Sequence, residues 1–119
     1  PHNYVPNSVV YSGTHDNDTA IGWWGKANHK EKQFLAQYLG YSSPENIQEI
    51  NWILIRTALA SVAKLAIIPL QDILGLDNRA RMNDPSKIPG NWRWRYESSD
   101  LLTEELSDRL LQLTQIYNR

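Results

Sequence analysis

The 119-residue sequence predicts an α/β fold, and three observations point there. Within Asn7 to Ser12 the β-branched and aromatic residues Val9, Val10 and Tyr11 form a short run, and the element stops at Gly13, the signature of a short buried strand. The small and polar residues Gly13 to Thr19 follow, cannot continue a strand, and offer capping groups for a helix. Much further on, Ala66-Ile67-Ile68-Pro69-Leu70 abandons helical periodicity for a continuous apolar run, which reads as a second, parallel strand.

The remaining elements are helical. A short helix is expected over Thr19–Gly25, and Asn28 caps another through Lys30, Phe34, Leu35, Tyr38 and Leu39 that stops at Gly40. Ser43-Pro44-Glu45 is a helix start, and Ile47, Ile50, Leu54, Ala58 and Val62 recur at helical spacing, so the longest helix is expected there. Gln71–Leu76 suggests one helical turn. Asp77–Tyr96 has the composition of a long loop, a kind of segment that is usually functional or mobile. Ser98-Ser99-Asp100 is expected to cap a closing surface helix with a stripe of Leu101, Leu102, Leu106, Leu110, Leu113 and Tyr117.

Composition narrows the function. The length suits about one domain, and 41% hydrophobic with 21% charged residues excludes a disordered or collagen-like chain. A net charge of −1 gives no basic field for nucleic acid or anionic lipid, so neither is an expected partner. The longest apolar run, Trp52 to Leu70, is interrupted by Arg56, Thr57, Ser61 and Lys64 and is too polar for a membrane span. There is no cysteine, hence no disulfide, thiol chemistry or thiolate metal site. Five Trp and six Tyr stand against one Phe, a balance suited to sugar faces or a mixed polar core. The chain opens on Pro1 rather than Met, and we expect it to be a piece of a longer protein.

Two clusters carry the candidate chemistry. Thr14-His15-Asp16-Asn17-Asp18 lies where a strand ends and a helix begins, the place where parallel α/β folds bind ligands. His15 and Asp16 side by side suit a polyhydroxy ligand, a reacting group or a metal; alternatively Asp16 or Asp18 caps the helix and His15 satisfies a backbone group. A metal site completed by His2, His29 and Asp72 is disfavoured, because the dyad follows a strand and no other His has ligand context. The second cluster, Arg79 to Pro85 with Gly90-Asn91-Trp92-Arg93-Trp94-Arg95, combines guanidinium groups and indoles able to stack on rings and bond hydroxyls. Trp92 and Trp94 also suit anchoring of the loop to the core.

These residues resemble a known family. Asn7-Ser8-Val9-Val10-Tyr11-Ser12-Gly13-Thr14-His15-Asp16-Asn17-Asp18-Thr19, with Gly22-Trp23-Trp24, is similar to a segment of the 4-α-glucanotransferases, the amylomaltase or disproportionating-enzyme family 77 of glycoside hydrolases. Pro69 to Leu76 with Ala80-Arg81-Met82-Asn83, and then Gly90 to Arg95, resemble the family's next two blocks in order. After Asn83 the family commonly continues Pro-Gly-Thr, whereas Asp84-Pro85-Ser86-Lys87 stands here.

The resemblance implies that residues 1–119 are the C-terminal segment of a catalytic (β/α)8 barrel, an incomplete domain that is mostly helical in isolation. It implies a retaining transfer of α-1,4-glucan segments between maltooligosaccharides, with neither metal nor organic cofactor. Asp16 would stabilise the transition state. His15 and Asn83, and more weakly Trp92 and Arg93, would contact the sugar. The family's nucleophilic Asp and acid/base Glu lie upstream, so the chain alone is expected to be inactive. Unpaired strand edges predict self-association of the fragment. The expected location is the cytoplasm, or the plastid in a plant. The competing reading is a non-catalytic, helical α-glucan-binding module that stacks sugars on Trp23, Trp24, Trp92 and Trp94.

Overall fold

Val9–Tyr11 form the first strand, β1, and Leu65–Ile67 the second, β2, in a computed structural model that describes residues 1–119. The strands pair in parallel, with Val9 opposite Leu65, Val10 opposite Ala66 and Tyr11 opposite Ile67. Parallel neighbours require a crossover, and three helices supply it: α1 (Ala20–Lys26), α2 (His29–Leu39) and α3 (Ile50–Leu59). After β2 come α4 (Leu70–Ile73) and α5 (Glu104–Ile116). Both expected strands therefore form, each shortened to three residues, and Pro69 ends the second apolar run by standing as the N-cap of α4.

Alternation along the strands gives the sheet two unlike faces. Val10 is buried against Ala58 and Ala63, with Ala66 and Ile68 packed alongside. On the other face Val9, Tyr11, Leu65 and Ile67 are each 42% to 51% exposed.

Local chemistry explains the helix ends. The Thr19 hydroxyl accepts the Gly22 N–H at 3.1 Å and starts α1. Gly22 itself is required there, because a Cβ would overlap the Asn78 side chain that accepts the Thr19 N–H. Asn28 and Glu31 form a reciprocal capping box on α2, and Gly40, at φ 81°, closes that helix in the left-handed conformation.

The expected long helix from Ser43 does not form. Ser43-Pro44 opens only a 3-10 turn, Pro44–Asn46, Ile47 is extended, and α3 begins after Glu49, which is left-handed at φ 49°. The break buries Ile47 beside Ala36 and Ile50, while the Glu49 carboxylate takes both Arg109 Nη1 and Nη2, at 2.7 and 2.9 Å. That hydrogen bonding holds the Glu49 carboxyl below the usual carboxylate range. The longest helix is instead α5, with 13 residues. Its cap is Thr103, whose hydroxyl accepts the Leu106 N–H; Ser98 caps a separate 3-10 turn, Ser99–Leu101. Glu104 and Glu105 favour this start by complementing the helix dipole.

The centre of the molecule is α3. Its Trp52, Ile55 and Leu59 are buried and receive Leu106, Leu110 and Leu113 from α5 and Tyr117 from just beyond it. Arg109 covers the Trp52 ring at 4.2 Å. The Arg119 guanidinium donates to the carbonyl of Leu59, left open where α3 ends, and to the carbonyls of Ser61 and Ala63 in the turn that follows. Ile55 is wholly inaccessible, so Ile55→Ala should cost about 2–5 kcal/mol. No helix is long and apolar enough to cross a membrane.

Candidate functional site at the end of the first strand

β1 delivers Ser12 to the rim of the sheet, and residues 13–19 turn from there into α1. A buried carboxylate holds both ends of this turn. Asp72, 1% exposed, accepts the Ser12 hydroxyl at 2.6 Å through Oδ2 and the Ala20 N–H at 2.8 Å through Oδ1. Asn51 of α3 donates to the Asp72 carbonyl at 2.8 Å and so fixes α4 from behind. Within the turn, Asn17 Oδ1 accepts the Thr14 N–H and hydroxyl, both at 2.8 Å. Neither Asp16 nor Asp18 caps α1, since Thr19 does, and Asp16 is left half exposed at the surface.

The loop after the 3-10 turn Asn78–Ala80 closes over this rim. The Asn83 N–H donates to the His15 carbonyl at 3.0 Å, and Asn83 Nδ2 donates to Asp16 Oδ1 at 2.5 Å. His15 Nε2 lies 3.3 Å from the same oxygen. Trp92 adopts φ 64°, donates its N–H to the Met82 carbonyl at 2.7 Å, and sets its ring 5.0 Å from the His15 ring at a 40° tilt. Asn91 braces the intervening loop by accepting the Asp84 N–H and donating to the Asp84 and Lys87 carbonyls.

Four of the five residues singled out in the sequence thus meet: His15, Asp16, Asn83 and Trp92. Arg93 does not join them; its side chain is exposed and makes no hydrogen bond or ion pair within the chain. Two further residues hold the site together in roles that the sequence did not show. Arg81 bridges the two loops through Asp18 and two backbone carbonyls. Asp72, weighed in the sequence as a metal ligand, is a buried acceptor under the turn. The other partners considered for a metal lie apart, with His2 bonded to Tyr38 and His29 opening α2.

The aspartates around this rim differ in their partners. Burial pushes the Asp18 carboxyl up, but hydrogen bonds from Lys26 and Asn78 and the charges of Lys26 and Arg81 outweigh it and hold it below the usual range. Asp84, bonded by the Ser86 hydroxyl and N–H and by Lys87, is held down to about 2. Asp16 has neither a cation nor burial to occupy it, and its partners are an amide and an imidazole. An open concavity of about 650 Å³ adjoins it, lined by Tyr11, Trp23 and Asp18 among others.

The four indoles of the binding-module reading do not form one platform. Trp24 packs beside the Ala36, Ile47 and Ile50 cluster, Trp23 borders the concavity, Trp92 backs His15, and Trp94 lines a separate groove with Ile21 and Tyr96.

A half-exposed carboxylate with a histidine and an amide at a strand end stands where α/β units commonly bind polar ligands. Comparison with known proteins gives the family of the chain. Residues 1–102 match the family model described as 4-alpha-glucanotransferase, and the chain belongs to that family. It is 51% identical over 123 residues to the chloroplastic/amyloplastic 4-alpha-glucanotransferase of Oryza sativa subsp. japonica, covering 100% of this chain and 20% of that protein. Identity to the 4-alpha-glucanotransferase of Synechocystis is 49% over 120 residues, covering 23% of it. Among solved structures, the amylomaltase from Streptococcus agalactiae in complex with acarbose superposes with a TM-score of 0.90 at 36% identity, over 100% of this chain and 23% of that one. The chain therefore spans about a fifth of the length of the curated relatives it matches.

Proposed function

We propose that these residues are the C-terminal segment of the catalytic (β/α)8 barrel of a 4-α-glucanotransferase, contributing the carboxylate that stabilises the transition state. The observation that carries this reading is the convergence of Asn83 Nδ2 and His15 Nε2 on Asp16 Oδ1 at the end of β1. In a parallel barrel the strand ends face the substrate. The exposed face formed by Val9, Tyr11, Leu65 and Ile67 is apolar, as an interior barrel face would be.

In this reading the substrates are α-1,4-glucans and maltooligosaccharides, and the reaction is a retaining double displacement. A carboxylate nucleophile outside this chain forms the glycosyl-enzyme, and a second carboxyl serves as acid and then base. Asp16 accepts hydrogen bonds from hydroxyls of the distorted sugar. Those bonds strengthen as positive charge develops on the ring, so they accelerate the chemical step rather than merely tighten binding. His15, steadied by the Trp92 ring, donates to a hydroxyl of the same sugar. Asn83 orients Asp16 and adds a sugar contact, while Arg93, which stands apart from the cluster with an exposed side chain, is at most a peripheral contact. The reaction needs neither metal nor organic cofactor. The protein works in the cytoplasm, or in the plastid if its source is a plant, as the naming of the rice relative supports.

The 119 residues alone would not turn over substrate, since Asp16 cannot form the covalent intermediate without the upstream pair. Assay of maltotriose disproportionation tests this directly: the purified chain should give no product while the intact enzyme does. Product from the chain alone would overturn the assignment of Asp16 as an auxiliary carboxylate.

A further inference from the structure

Asp16 is not gripped directly by any cation, yet its position is closely defined, and the residue that defines it is Arg81. The three kinds of donor nitrogen on this guanidinium go to three places. Nη1 donates to Asp18 Oδ1 at 2.6 Å, Nη2 to the Asp16 carbonyl at 2.7 Å, and Nε to the Asn83 carbonyl at 2.8 Å. The Arg81 side chain is only 20% exposed and that of Asp18 17%, so the fork is partly desolvated and held on one side by a pinned carboxylate. Lys26 fixes the other oxygen of Asp18 at 3.0 Å.

The carbonyls that Arg81 takes belong to the two residues whose side chains meet at 2.5 Å. We infer that Arg81 is a positioning residue: it sets the separation of the two backbones from which the Asp16 and Asn83 side chains project, and thereby the direction of the Asp16 carboxylate. This rests on the reading of Asp16 as the transition-state carboxylate. Asp18 neutralises the guanidinium, so Arg81 acts through geometry rather than by offering charge to a ligand. A planar fork is needed, because a lysine ammonium is a single point and cannot serve three separated acceptors in one plane.

The test uses the intact enzyme assayed on maltotriose. Arg81→Ala is expected to lower kcat by about 10²-fold with KM changed less than about threefold, the consequence of misplacing a reacting group by roughly 1 Å. Added guanidinium should recover part of the lost rate in Arg81→Ala and none in Asp16→Asn. In the Asp16→Asn background, Arg81→Ala should cost little further, because residues acting as one unit are not additive. Should Arg81→Ala fail to fold, Arg81→Lys replaces it, with the same kcat loss expected while the melting temperature stays close to the parent's. Wild-type kcat in Arg81→Lys or Arg81→Ala, or losses that multiply in the double variant, overturn the inference while leaving Asp16 in place. Full turnover by Asp16→Asn instead overturns the reading of Asp16 itself.

Discussion

Asn83 Nδ2 donates to Asp16 Oδ1 at 2.5 Å across 67 positions of sequence, joining the turn after β1 to the loop after α4. A short amide-to-carboxylate bond fixes one oxygen of Asp16 and leaves the carboxylate aimed outward, half exposed. Asn83→Ala should therefore lower kcat by about 10-fold or more, with little change in melting temperature because both side chains lie at the surface. Asn83→Asp should be worse at neutral pH. Two adjacent carboxylates raise the pKa of one of them, so part of the lost rate should return as the pH falls and a shared proton restores the donor. A pH–rate profile of the variant checks the sign.

The buried Asp72 should matter to stability more than any residue at the rim. Asp72→Ala strands the Ala20 N–H and the Ser12 hydroxyl in a buried setting. At about 1–3 kcal/mol for each of the two unsatisfied groups, the expected loss is about 2–6 kcal/mol. Urea denaturation of the parent and the variant measures it, and a loss below about 1 kcal/mol would show that the turn relaxes to find other partners.

Acid should loosen the loop from Asp84 to Asn91. The Asp84 carboxyl falls from 3.8 to about 2, held by the Ser86 hydroxyl and N–H and by Lys87. A depressed carboxyl contributes stability that is fully present above its unfolded value and lost as the pH drops through its folded one. Order in this loop should hold at pH 5 and fade between about pH 4 and pH 2. Amide exchange of Ser86, whose N–H donates to Asp84 Oδ1 at 3.1 Å, reports the change, and Ser86→Ala should move it to higher pH.

Outside its parent, the chain should associate through the sheet. Val9, Tyr11, Leu65 and Ile67 lie on one exposed face, and the strands have two open edges because the sheet has only two members. Light scattering of the purified 119 residues should give a mass above 13.7 kDa that falls toward it in Tyr11→Lys. A monomer at micromolar concentration would contradict this.

The sequence made some parts of this structure legible and hid others for identifiable reasons. The Asn28 and Gly40 ends of α2 were readable because caps are local chemistry. The strands were readable because β-branched runs bounded by Gly and Pro leave few alternatives. The start of α3 was not, since Ile47 and Ile50 keep helical spacing across a break that a residue of α5, Arg109, helps to hold through Glu49. At the site, His15 and Asp16 stood out as neighbours in sequence. Arg81 was marked only as one guanidinium of the second cluster and Asp72 only as a possible metal ligand; their roles were hidden because their partners lie 63 and 60 positions away and only the fold brings them together.

The most direct test of the account is Asp16→Asn in the intact enzyme, with turnover and glucan affinity measured on the same preparation. The account predicts a fall in kcat of about 10³-fold, the scale of losing one preorganised transition-state contact, with the dissociation constant for a maltooligosaccharide within a few fold of the parent. Equal losses of rate and of binding would contradict it and return Asp16 to the role of a simple sugar contact.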